Sequence, residues 1–293
     1  MAELIRATPP ARISAVIGSG LPWIAGYVVR AQDVSESPTA GALYADLGLG
    51  FPGSPYGAQR EFVDVLRVPA QWTLQLATPG EGENAATPPL RDHPPFGQTG
   101  FIDSSKAFVP YWWLAPSPVP AGTTLWRIGA DGSANTIAAY GHVGVGWLAC
   151  APAARIAHTP IRFTEVLGMW AQYRGERVLA DILPDGTAVI AVPDQREGWQ
   201  PSPRGVFWTE VYRADLDRVW VSRTLATWRD QEFQVVGLEG DEAGRTAHLV
   251  YSGHDAGVAG SLGLTETDAS VYEALAPISE LHNVREAQTD LPG

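Results

Sequence analysis

Ala171-Gln172-Tyr173-Arg174-Gly175-Glu176 and, 55 residues later, Ala226-Thr227-Trp228-Arg229-Asp230-Gln231 are two versions of one pattern: a small residue, a polar one, an aromatic, an arginine, a turn former and a polar residue. Holding the offset of 55 pairs Val178 with Phe233 and Leu183 with Leu238. Each copy then passes a glycine-bearing turn (Pro184-Asp185-Gly186, Glu242-Ala243-Gly244) and enters an apolar run, 188–192 in the first and 247–251 in the second. The match resumes at an offset of 65, where Val206-Phe207 pairs with Val271-Tyr272, Asp215-Leu216 with Glu280-Leu281, Val219 with Val284 and Thr224 with Thr289. Two ordered blocks that keep their aromatic and apolar identities indicate a tandem duplication. The change of offset puts ten extra residues in the second copy, expected as a loop around Gly253 to Gly263.

Each copy holds four or five short apolar runs separated by turn residues, in about 55 to 65 residues, the rhythm of small β units. The expected fold is mainly β: a β-rich N-terminal domain with a short helix over 1–155, then two SH3-like small barrels or strongly bent sheets over 165–225 and 226–293. Units of this size have thin cores, so the copies are expected to pack on each other. Tyr173 and Trp228 are expected to fill the same core position in each.

Composition agrees with a folded β protein. Of 293 residues 45% are hydrophobic and 18% charged, and eleven are tryptophan. The 31 glycines and 24 prolines demand many turns but are interleaved with apolar runs. The formal net charge of −12 argues against a nucleic-acid footprint, which needs clustered basic residues. The single cysteine, Cys150, cannot form an internal disulfide. The N-terminus has no basic start followed by an apolar run, and no stretch approaches the ~18 apolar residues of a membrane span, so a cytoplasmic protein is expected.

In the N-terminal region Pro9 and Pro10 suit a helix entry and Gly18 and Gly20 an exit, predicting a helix over 11–17. Strands are predicted over 24–34, 61–68, 72–77, 107–114, 123–128 and 137–140. Residues 41–57 read as a Gly/Pro turn region, 79–100 as a long polar loop and 150–160 as the linker.

Motifs that carry chemistry are sparse. Gly48, Gly50 and Gly53 have the spacing of a dinucleotide fingerprint, but Pro52 and Pro55 interrupt the helix that must follow. There is no Gly-x-Ser-x-Gly elbow and no P-loop. The six histidines (93, 142, 158, 248, 254 and 282) lack the pairings of common metal sites, so neither metal nor cofactor is expected. Arg30, Ser54 and Glu61, the last in Gln59-Arg60-Glu61, stand in an order that resembles the ADP-ribosyltransferase family, although the Ser-Thr-Ser run is missing. That resemblance implies an NAD-binding arginine and a glutamate that orients the acceptor; it is the alternative reading.

Acidic residues cluster at Glu81 and Glu83, Asp215 and Asp217, Glu239, Asp241 and Glu242, Glu266 and Asp268, and Glu280 and Glu286. Such clusters are usually solvated loops; their functional version is an acidic face that steers a basic partner. Glu239, Asp241 and Glu242, with His254 and Asp255 in the expected insertion, are the candidate partner-binding residues.

Tyr173-Arg174-Gly175, Trp228-Arg229 and the closing Val271-Tyr272, Glu280-Leu281 and Val284-Arg285-Glu286 resemble uncharacterised actinobacterial repeat proteins. An arginine-biased basic set, with Lys106 the single lysine, fits the same GC-rich background. Those proteins are similar to immunity proteins associated with necrotising, NAD-cleaving toxins. The resemblance covers about 40% of the chain and implies a non-enzymatic antitoxin that binds and neutralises a bacterial toxin. The second copy departs from the pattern at Asp230, where glycine is expected.

Overall fold

The computed structural model describes residues 3–51, 54–56, 61–77, 100–103, 108–151, 155–157, 160, 166–240 and 244–292. Among them the strands form three antiparallel sheets of eight, eleven and two strands, and no helix is long and apolar enough to cross a membrane.

The N-terminal region starts with β1 (Glu3–Ala7), α1 (Pro10–Ser19), β2 (Trp23–Arg30), α2 (Ala40–Asp46), β3 (Phe62–Pro69) and β4 (Leu76–Ala77). It continues through β5 (Phe101–Asp103), β6 (Phe108–Pro110), β7 (Trp112–Pro118), β8 (Thr124–Gly129), β9 (Ala134–Tyr140) and β10 (Trp147–Ala149). The large sheet runs β10-β9-β8-β3-β1-β2-β7-β4, and β5 pairs with β6 apart from it. Apolar residues cover both faces. Leu4, Val28, Leu66 and Leu125 pack under Ile13 and Val16 of α1; Ile5, Tyr27, Val29 and Val65 pack under Leu43 and Tyr44 of α2.

Several of these elements depart from the sequence reading. The strand expected over 72–77 is confined to Leu76–Ala77, that over 107–114 is divided between β6 and β7 in different sheets, and that over 24–34 ends at Arg30, before a 3-10 turn at Ala31–Val34. Residues 40–46 form a helix where a Gly/Pro turn is expected: Thr39 accepts a hydrogen bond from the Ala42 amide as the N-cap, and Leu43, Tyr44 and Leu47 are buried. The stretch 3–7, for which the sequence reading made no assignment, is a central strand between β2 and β3.

The C-terminal half consists of β11 (Leu167–Tyr173), β12 (Glu176–Ile182), β13 (Thr187–Val192), β14 (Gln200–Pro201), β15 (Phe207–Tyr212) and β16 (Arg218–Trp228). After these come β17 (Gln231–Glu239), β18 (Thr246–Tyr251), α3 (Ala256–Leu262), β19 (Thr265–Asp268), β20 (Val271–Pro277) and β21 (His282–Asp290). The sheet order is β14-β15-β13-β12-β11-β16-β17-β18-β20-β19, with β21 also paired to β16. The second half of that order repeats the connectivity of the first.

Strand register repeats between the two halves. Leu179 lies opposite Ala191 and Gln234 opposite Val250; Thr187 opposite Tyr212 and Thr246 opposite Pro277; Trp170 opposite Trp220 and Leu225 opposite Arg285. The offsets implied by these pairs are 55, 59 and 65 in turn. The ten extra residues are therefore split: one is a bulge within β17 between Val235 and Gly237, three fall between β17 and β18, and six lie between β18 and β19, where α3 folds. The expected single insertion around Gly253 to Gly263 accounts for the last of these groups.

The inner faces correspond position by position. Ala171, Val178, Ala180, Ala188, Ile190 and Val192 form the first core; Ala226, Phe233, Val235, Ala247, Leu249 and Tyr251 form the second. Tyr173 and Trp228 occupy matched core positions, as expected. Both hairpins after them are two-residue turns with positive φ at each residue, Arg174 (51°) and Gly175 (82°), Arg229 (49°) and Asp230 (61°). Each arginine lies over its own aromatic ring, at 4.9 and 4.1 Å from the centroid.

No sheet closes, so the two separate barrels are replaced by one continuous open sheet. The cause is β16. Its first half pairs with β11 and completes the first copy, while its second half pairs with β17 and opens the second. The expected boundary between 225 and 226 falls inside this strand.

Candidate functional site

Strand alternation sends Val178 and Ala180 of β12 into the first core and Leu179 and Asp181 to the opposite face. That face meets the N-terminal region. Trp23 and Ala25 of β2 pack on Val236, Val250 and Val271, and Val143 packs on Trp170 and Trp220. Polar ties run beside these contacts: Gln234 donates to the Pro116 carbonyl (2.7 Å) and Arg223 to the Thr73 carbonyl (2.9 Å).

Between the three units lies a cavity of about 340 Å³, lined by Trp23, Tyr140, Leu167, Gly168, Met169, Leu179, Asp181, Arg204, Val236, Leu238 and His248 among others. The lining is mostly apolar, with a few polar groups that converge from different elements.

Asp181 anchors one wall. Tyr140, the last residue of β9, donates its hydroxyl to Asp181 Oδ2 (3.3 Å), and the Val143 amide also serves this carboxyl. The Arg204 guanidinium donates to the Val143 carbonyl (2.9 Å) and acts on Asp181 through its charge. Glycine is required in this loop: a Cβ at Gly144 would stand 2.4 Å from Cγ of Trp208. Burial pushes the Asp181 carboxyl up to about 7, against the opposing effect of the Val143 and Tyr140 hydrogen bonds and of Arg204. Burial, with Asp181 nearby, likewise raises the Tyr140 phenol.

A second polar group begins at His248. Its Nε2 lies 2.5 Å from Glu273 Oε2, and Arg12 and Thr267 also bond that carboxylate. Burial alone would raise Glu273, but the His248 and Thr267 hydrogen bonds and the Arg12 charge hold it below the usual range. Arg12 lies over the Trp23 ring at 4.2 Å, and Trp23 meets the His248 ring edge-on. Deeper in the interface Arg6 and Asp268 form a buried ion pair, and the Tyr56 hydroxyl donates to Asp268 Oδ1 (2.5 Å). Asp268, expected in a solvated acidic cluster, is thus an interior residue neutralised by the N-terminal strand.

The residues singled out from sequence lie elsewhere. Arg30 is exposed and paired with Asp33 at 2.7 Å, while the Ser54 hydroxyl donates to the Leu49 carbonyl. Leu4 sits between Arg30 on β2 and Val68 on β3, whereas Glu61 precedes β3. At about 3.3 Å per residue along β3, Arg30 and Glu61 are roughly 20 Å apart and do not share a site. Asp255 caps α3 through the Val258 amide (2.9 Å), and His254 stacks on Trp113 with centroids 4.8 Å apart. Asp255 thus closes the end of α3, and His254 ties the inserted segment to the N-terminal region. Glu239 reaches the cavity; Asp241 and Glu242 lie outside the described residues.

The cavity residues did carry a signal, as breaks in the repeat. Asp181 stands alone in the apolar run 178–183, and its partner at offset 55 is Val236. His248 corresponds at offset 59 to Val189. No family model, no curated protein and no solved structure matches the chain.

Proposed function

We propose that the chain is a non-enzymatic binding protein and that the cavity between its three units takes a small, largely apolar ligand. The observation that carries this reading is the cavity itself, whose volume falls within the ~300–1,000 Å³ of small-molecule sites and whose walls are apolar with a few convergent polar groups. Several of those polar groups are tied to protein partners: the Ser19 hydroxyl to the Ala15 carbonyl, His248 to Glu273 and Arg204 to Val143. Such ties favour shaping a site over turning over a substrate.

The test uses N-phenyl-1-naphthylamine, an uncharged apolar fluorophore, with the full chain and with Gly168→Phe. A Cβ at Gly168 meets Trp170 and Leu179 at ordinary contact distance, so the larger ring enters the cavity without backbone strain. Saturable fluorescence enhancement that Gly168→Phe abolishes, at unchanged circular dichroism, is the expected result. Equal enhancement in both proteins, or none, removes the reading.

A second reading is an immunity protein that binds a toxin, supported by the net charge of −12 and by one structural observation. Among the described residues nothing pairs with the outer edge of β21, and Val284 there is 58% exposed where its counterpart Val219 is 2%. Capture of a protein partner by the tagged chain, lost on Val284→Lys, is what this reading requires.

A further inference from the structure

We infer that the ligand of the junction cavity is an amine: an apolar body carrying one protonated nitrogen, which pairs with Asp181. This inference rests on the ligand-binding reading of the same cavity.

The buried Asp181 carboxyl is held by neutral donors. A phenol and a backbone amide donate to it, and among the described residues no guanidinium or ammonium does. A buried carboxylate without a bonded cation is costly, which is why its ionisation is shifted toward neutrality. A ligand cation supplies the missing partner. Arg204 cannot take that place as it stands: it bonds the Val143 carbonyl and the Tyr140 side chain and is packed against Gly146, where a Cβ would meet its Cδ at 2.9 Å.

The rest of the cavity suits the same ligand. Tyr140 and Trp23 line the cavity with aromatic rings, the latter already carrying the Arg12 guanidinium, and Glu239 and the overall negative charge favour entry of a cation. The charged and titratable groups around Asp181 are Tyr140 and Arg204; His248 and Glu239 line the same cavity, and His142 lies in the field of Arg204. When the amine binds, Asp181 gives its proton to solvent and the ligand keeps its own.

The experiment compares three probes of one shape, 2-phenylethylamine, 2-phenylethanol and phenylacetate, by displacement of the fluorophore at pH 6 and pH 8. The amine is expected to bind at least tenfold more tightly than the alcohol at pH 8. It should weaken about tenfold at pH 6, where most Asp181 is protonated and the competent fraction falls in proportion. The alcohol should be indifferent to pH. Asp181→Asn should erase the amine's advantage while the fluorophore and the alcohol still bind, which also shows that the variant is folded. Equal binding of amine and alcohol, or tightest binding of phenylacetate, overturns the amine inference and leaves the cavity reading standing. A cavity that takes neither probe nor fluorophore overturns both.

Discussion

The two copies of the repeat are alike where they face themselves and unlike where they face the rest of the molecule. Inner positions exchange one apolar side chain for another, as in Val178 and Phe233 or Ile190 and Leu249. Outer positions change character altogether. Leu179 corresponds to Gln234, Val189 to His248 and Trp208 to Glu273, and at the sequence offset of 55 Asp181 corresponds to Val236, beside the bulge in β17. An inner face has only to fill its own unit, so any apolar side chain of suitable volume serves. Each outer face meets a different part of the N-terminal region, and its residues are set by that partner. The junction cavity lies where the dissimilar faces meet.

The sharpest way to break the comparison is to empty matched inner positions. Phe233→Ala should cost about 3–5 kcal/mol and Val178→Ala less, because the second core is built around the larger ring and leaves the larger void. Denaturant midpoints at constant slope check this, and equal losses would mean that the two cores do not fill their space in the same way.

The next effect exchanges the outer positions. Asp181 has a raised carboxyl, about 7 against an ordinary value near 4, so the folded state binds more protons than the unfolded state between those two values. Its contribution therefore lowers stability as pH rises through that window. Asp181→Asn should be about 2–4 kcal/mol more stable than the parent at pH 8, with the difference shrinking toward pH 4. The reciprocal Val236→Asp places a carboxyl in the apolar contact with Trp23 and Ala25 and should destabilise, more so at pH 8 than at pH 5. Thermal melts across pH would sink the argument if Asp181→Asn showed no pH-dependent gain.

The smallest effect concerns the hairpin turns. Asp230 holds a φ of 61° where the first copy has glycine. Asp230→Gly should stabilise by about 0.5–1 kcal/mol and Gly175→Asp should destabilise by a similar amount. Loss of stability in both variants would show that the Asp230 side chain matters for more than its backbone conformation.

The duplication was legible because its evidence is local and repeated: aromatic, arginine and turn former recur with apolar runs at fixed offsets. Within the N-terminal region the capped helix at Pro10–Ser19 was readable from its flanking proline and glycine residues. The helix at Ala40–Asp46 was not, because glycines at 41, 48 and 50 masked a short amphipathic turn that tertiary packing stabilises. Strand β1 was hidden by Arg6, which reads as exposed until Asp268, 262 residues away, is seen to neutralise it. The assembly of the cavity was illegible for the same reason: Tyr140 belongs to the N-terminal region, Asp181 and Arg204 to the first copy and His248 to the second, and only the docking of those units brings them together. The candidates drawn from local order, Arg30 with Glu61, were placed at opposite ends of one sheet.

The strand β16 gives the molecule a seam that cannot be cut. Eleven consecutive residues, Arg218–Trp228, finish one copy and begin the next, so excising either copy removes part of the other's hydrogen-bonding template. Two repeats in sequence thus become one cooperative folding unit, and chemical denaturation of this half should proceed as a single transition. Ancestry counts two modules here, and thermodynamics counts one.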